Sequence, residues 1–137
     1  MNGETKERLL VWLLRLSGLA TVVAFPTALL PAQWMEVVHQ KLGMGAMPNG
    51  AVTQYMARSL SLLYGFHGLL TLLASTDVRR FRPIIGFIGW MLLSMGPAMT
   101  LIDLHSGLPI YWTLLEGPPL FAAGAAVLWL RGGVPKV

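Results

Sequence analysis

The sequence contains no cysteine. That removes disulfides, thiolate metal sites, cysteine nucleophiles and cysteine-ligated clusters, and leaves the redox compartment open. Charge is also scarce: Asp, Glu, Lys and Arg make up 12% of the 137 residues, against roughly 25% in a typical soluble chain. Too few polar side chains remain to cover a water-facing surface. No Lys/Arg run is interleaved with exposed aromatics, so the net charge of +4 and pI near 10 do not indicate nucleic acid as a partner. The densest basic cluster, Arg79, Arg80 and Arg82, sits between two apolar segments.

What the chain does have is apolar length. Hydrophobic residues account for 55% and the mean hydropathy is +0.62. A membrane-spanning helix needs about 20 mostly apolar residues, and four segments qualify, at about 9–30, 53–74, 83–102 and 110–130. They lack the polar faces of a soluble bundle, so helices are read from length and from the punctuating loops. The expected fold is all-α: a single transmembrane domain over residues 1–137, built as an integral membrane four-helix bundle. Lys6 and Arg8 ahead of the first segment also fit a signal peptide, but Arg15 interrupts the apolar core and no small-x-small site closes it, so a retained helix is expected.

Loop charges set the orientation. Lys6 and Arg8 precede the first span, only Lys41 lies in the first loop, three arginines lie in the second, none in the third, and Arg131 and Lys136 follow the last span. That alternation predicts both termini in the cytoplasm, N-in and C-in. The tryptophans and Tyr111 fall mostly near span ends, as interfacial belts require. In the first outer loop, Trp34, Met35, Val38 and Leu42 follow helical spacing, which predicts a short helix lying in the outer interface. An ordinary loop is the alternative.

The acids concentrate at one end. On this topology Asp103 closes the third helix and Glu116 lies one to two turns inside the fourth, near the extracytoplasmic side, with Arg58 at matching depth in the second. Intramembrane charges usually face the bundle interior and pair, so Arg58 is expected to pair with Glu116 or Asp103. Arg58, Ser61, Gly65 and Gly68 share one helix face, and Gly89, Gly96 and Asp103 repeat every seven residues. These small-residue faces are expected to pack on each other. Pro97, Pro118 and Pro119 free carbonyls near residues 93, 114 and 115 and predict interrupted helices beside the acids. Tyr111, Trp112, His105 and His67 complete the set of ligand-binding or ion-pair candidates; a fold-specifying ion-pair network is the competing reading.

Other chemistries lack their residues. Bis-histidine haem needs two embedded histidines, and only His67 is embedded. His39, His67, His105 and Asp103 hold no i, i+3 or i, i+4 metal spacing, so no metal and no cofactor are expected. Phosphate loops and serine elbows are absent.

The stretches "PAQWMEVVHQKLGMG", "YMARSLSLLYGFHG", "DVRRFRP" and "GLPIYWTLLEGPP" give the chain a layout that resembles small bacterial four-helix membrane proteins of the DoxX-like kind. The resemblance implies four helices, a bacterial inner membrane and, since some such proteins look like membrane partners of oxidoreductases, another membrane protein as a partner. It transfers no catalytic residue. Two function classes are therefore carried forward. One is a non-enzymatic subunit or a module binding a lipid or small molecule, with membrane lipid, a second membrane protein or a homo-oligomer as partner. The other is a membrane enzyme acting on a lipid or isoprenoid, with Asp103 or Glu116 as acid/base and Arg58 as electrostatic partner.

Overall fold

The computed structural model describes residues 2–48 and 50–135. Six helices form among these residues: α1 (Gly3–Val22), α2 (Ala24–Leu29), α3 (Ala32–Lys41), α4 (Ala51–Thr76), α5 (Arg82–Ser106) and α6 (Ile110–Arg131). No strand occurs among the described residues. Four helical stretches are long and apolar enough to cross a membrane: Gly3–Leu29, Ala51–Thr76, Arg82–Ser106 and Ile110–Arg131.

The differences from the expected spans have local causes. The first helix begins at Gly3 rather than near residue 9, because the Asn2 side chain accepts the Thr5 amide at 2.9 Å and caps it. It then breaks at Val23, where α1 gives way to α2. Pro26 has no amide proton to donate to the Val22 carbonyl, so the helical ladder fails at that point. The third expected span, α5, runs to Ser106, taking Asp103 and His105 into its last turns. It stops where Gly107 adopts φ +68, with Leu108 N–H donating to Asp103 O at 3.1 Å and Gly107 N–H to Leu104 O at 3.3 Å. That is the paired closure that a left-handed glycine allows. The interruptions expected at Pro97 and at Pro118 and Pro119 do not occur: α5 and α6 run through all three prolines.

The chain divides into two compact units, Met1–Ser17 with Thr71–Val137, and Gly18–Leu70. In the first, Leu10 and Leu14 of α1 are buried together with Ala74, Val78, Ile85, Val127, Leu130 and Val134. Glu7 closes this unit with an ion pair to Arg79 at 3.0 Å. The hydrogen bond and charge of Glu7 raise the Arg79 pKa above the ordinary guanidinium value. Within this unit α5 and α6 pack through glycine. A Cβ on Gly96 would stand 2.8 Å from Gly117 O, and one on Gly124 would stand 2.8 Å from Gly89 O. The partners Gly89–Gly124 and Gly96–Gly117 repeat every seven residues on both helices, which fixes the antiparallel register of the seam.

In the Gly18–Leu70 unit, the α4 face carrying Gly65 and Gly68 meets Phe25 and the Gly18 carbonyl of the α1–α2 segment. Phe25 and Phe66 stack edge to face with centroids 5.2 Å apart. The expected packing of this face on the Gly89–Gly96 face is thus corrected: α4 presents it to the α1–α2 segment, and α5 presents its own to α6. The segment predicted as a short helix is α3. Glu36 Oε2 accepts the Met47 amide at 2.9 Å, and His39 Nδ1 lies 2.9 Å from Gly45 O, folding the following loop back onto the helix.

Candidate functional site

The half of the α5–α6 seam nearest the Gly107–Pro109 turn changes character. Beyond the Gly96–Gly117 contact the facing positions become polar: Thr100 and Asp103 on α5, Thr113 and Glu116 on α6. The register that sets Gly96 against Gly117 brings Thr100 level with Thr113, and Asp103 within one helical turn of it, about 4.5 Å along the axis. Thr100 satisfies itself, its Oγ1 donating to Gly96 O at 2.9 Å. Thr113 does not: it is 2% exposed and its Oγ1 has no hydrogen-bond partner among the described residues. Asp103 is 1% exposed, and its Oδ2 likewise has none. A buried polar atom without a partner forfeits the water it gave up and gains nothing in exchange.

Glu116 is half-buried and accepts the Trp112 indole N–H at 2.7 Å, a contact made one turn back along α6. By the same register Asp103 and Glu116 lie about 9 Å apart along the axis of the seam. The seam therefore holds two acids on facing helices, one bonded to an indole and one with a buried oxygen, Asp103 Oδ2, left without a partner. Of the other sequence candidates in this unit, Tyr111 is 44% exposed at the first turn of α6. His105 is exposed in the last turn of α5, two residues from Asp103 and therefore on the other side of the helix.

Arg58 and His67 lie in the Gly18–Leu70 unit. Half-buried Arg58 donates through Nη1 to Ala28 O at 2.6 Å and through Nη2 to Leu30 O at 2.9 Å. These are carbonyls at the C-terminal end of α2, which the helix leaves without donors and which carry its negative dipole end. Both hydrogen bonds thus go to a helix end instead of the carboxylate expected from the sequence. The proline-bounded stretch from Pro26 to Pro31 is the signal for that demand. His67 is half-buried in the middle of α4.

Thr100 and Thr113 went unnoticed in the sequence reading. Their signal was spacing: Thr100 follows Gly96 by four residues and Thr113 precedes Gly117 by four, which puts each on the face of a close-contact glycine. Among the described residues no group of three or more His, Cys, Asp and Glu side chains is placed to hold a metal ion. Compared with protein-family models, curated proteins and solved structures, the chain matches none.

Proposed function

We propose that the protein is a non-enzymatic inner-membrane subunit or binding module, N-in and C-in, that takes up a lipid or small molecule at the extracytoplasmic end of α5 and α6. Membrane residence is supported by the four long apolar helices, in whose most apolar windows 17% to 33% of residues are buried. Most of their apolar side chains face outward, where water would be a poor solvent and hydrocarbon a good one. The alternation of loop charge supports the orientation, and the DoxX-like layout supports a bacterial inner membrane. Exposed Trp34, Val37 and Val38 on α3 support an interfacial position for that helix.

The observation that carries the binding reading is Asp103. A carboxyl group buried to 1% exposure with a bare Oδ2, one turn from a buried hydroxyl equally bare, is an acceptor set awaiting a donor. The matching ligand brings a hydroxyl or ammonium group into the seam. Purification of the full chain in mild detergent tests this: a bound lipid, small molecule or protein partner that is lost in Asp103→Leu is expected. A monomer that carries nothing in either form defeats the reading.

One feature favours the second reading, a membrane enzyme acting on a lipid or isoprenoid. Asp103 and Glu116 are two acids of unequal surroundings on one seam, the arrangement that separates an acid from a base. Its test is turnover of a membrane lipid extract by the purified protein, with product lost in both Asp103→Asn and Glu116→Gln. Retention of product in either variant rejects that assignment.

A further inference from the structure

Arg15 lies about 18 Å along α1 from Gly3, within the apolar part of the helix. It is exposed, and among the described residues it forms no ion pair. Trp12 and Leu16 beside it are each 62% exposed, so its surroundings on that face are apolar. A guanidinium facing hydrocarbon without an anion is costly. Among the described residues no carboxylate pairs with it: Glu7 is taken by Arg79 at 3.0 Å, and Glu4 sits at the start of the helix.

The same arc of α1 holds a second cation, Arg8, that forms no ion pair among the described residues. Glu4, Arg8, Val11, Trp12 and Arg15 fall at spacings of three and four, on one side of the helix. A groove of about 360 Å³ opens there, lined by Glu4, Glu7, Arg8, Val11, Trp12 and Arg79. Its walls are charged at the helix start and apolar deeper in, the order of a phospholipid's headgroup and chains. The charges that line the groove balance, Glu4 and Glu7 against Arg8 and Arg79, and Arg15, beyond the lining on the same arc of the helix, adds one positive charge.

We propose that this face of α1 binds an anionic membrane phospholipid, its phosphodiester held between Arg8 and Arg15 and its chains laid along Trp12 and Leu16. One surplus positive charge matches a headgroup of one net negative charge, whereas a zwitterionic headgroup would leave it uncompensated. Arg15 reaches toward the phosphate by extending its apolar stem along the helix. The site is separate from the Asp103 seam, but it rests on the reading of the chain as a membrane protein.

Native mass spectrometry of the full chain, released from detergent with phosphatidylglycerol and phosphatidylcholine in competition, is the test. The wild type should keep phosphatidylglycerol in preference. Each basic side chain at an anionic membrane surface contributes a factor of about five, so Arg8→Gln with Arg15→Gln should reduce the preference by about 25-fold. Arg15→Lys should retain most of it, as should Arg80→Gln, which alters the exposed loop arginine outside this face. Helical circular dichroism and size exclusion report whether each variant folds; where the double variant does not, Arg8→Gln alone against Arg15→Lys makes the comparison. Equal retention of the two lipids, a preference unchanged in the double variant, or displacement of the lipid by excess inorganic phosphate each overturns the site. Extraction of the chain from membranes by alkaline carbonate would instead overturn the membrane reading on which the site depends.

Discussion

The α5–α6 seam carries a charged side chain at each end, and the two are treated oppositely. At one end Arg131 lies over Gly86, whose missing side chain makes room for the guanidinium, and Arg131 Nε donates to Arg82 O at 2.8 Å. At the other end Asp103 is more deeply buried and its Oδ2 receives nothing. Between them the glycine pairs hold the helices at backbone contact. Both ends are built on the same two helices, so the difference is not one of general looseness. A charge with a fitted acceptor is a fastening; a charge enclosed without a donor gives up stability that only a ligand can restore.

Four substitutions, read by reversible unfolding in detergent, test that contrast. The largest effect belongs to the middle of the seam. A side chain at Gly124 meets the Leu93 backbone and Gly89 O, neither of which can move alone. Gly124→Val should therefore cost about 3 kcal/mol, and near-wild-type stability would mean that the helices do not approach as closely as the seam requires. Next is Asp103→Leu, which removes the bare carboxyl and should raise stability by about 2 kcal/mol while abolishing ligand retention. A loss of stability would place Asp103 with Arg131 as a structural charge and erase the contrast. Arg131→Met keeps the apolar stem but strands the Arg82 carbonyl, so stability should fall by about 1.5 kcal/mol; no change would show the hydrogen bond to be incidental. The smallest effect is that of Thr113→Val, which preserves shape and removes an unpaired hydroxyl, raising stability by about 1 kcal/mol. A decrease would reveal a hydrogen bond that Thr113 makes in the membrane.

Helix number and the greater part of each span were legible because apolar length is a strong signal in a chain with so few charges. Ile110–Arg131 departs by one residue from its expected span. The ends were harder, since they depend on single residues: Asn2 as a cap, Gly107 as a left-handed stop, Pro26 as a break. Proline shows why. Pro26 lies where the helix breaks, while Pro97, Pro118 and Pro119 lie within continuous helices. All three freed carbonyls of that second group lie on α5 and α6, whose close packing offsets the lost hydrogen bonds.

The candidate site was legible in part. Asp103 and Glu116 were identified from cost alone, because an acid at membrane depth is expensive wherever it points. Their partners were not, because partner choice depends on which faces meet. The glycine face of α5 and the glycine face of α4 are alike in sequence, and nothing in either one states that α6 takes the first while the α1–α2 segment takes the second. Arg58 illustrates the same limit: a lone cation can satisfy a carboxylate or a helix end, and backbone carbonyls are invisible in a list of side chains.

The buried cluster that joins Leu10 and Leu14 to Val127, Leu130 and Val134 has a consequence for synthesis. The α5–α6 hairpin needs only the three residues Gly107 to Pro109 to close, and can assemble as soon as α6 has emerged from the ribosome. The first helix finds part of its buried cluster, Ala74, Val78 and Ile85, midway along the sequence, and the rest, Val127, Leu130 and Val134, only at and beyond the end of α6. Until those last residues are translated, part of its inner face stays uncovered. A message truncated shortly after residue 126 would encode four apolar segments and still lack the part of that helix's seat made by Val127, Leu130 and Val134.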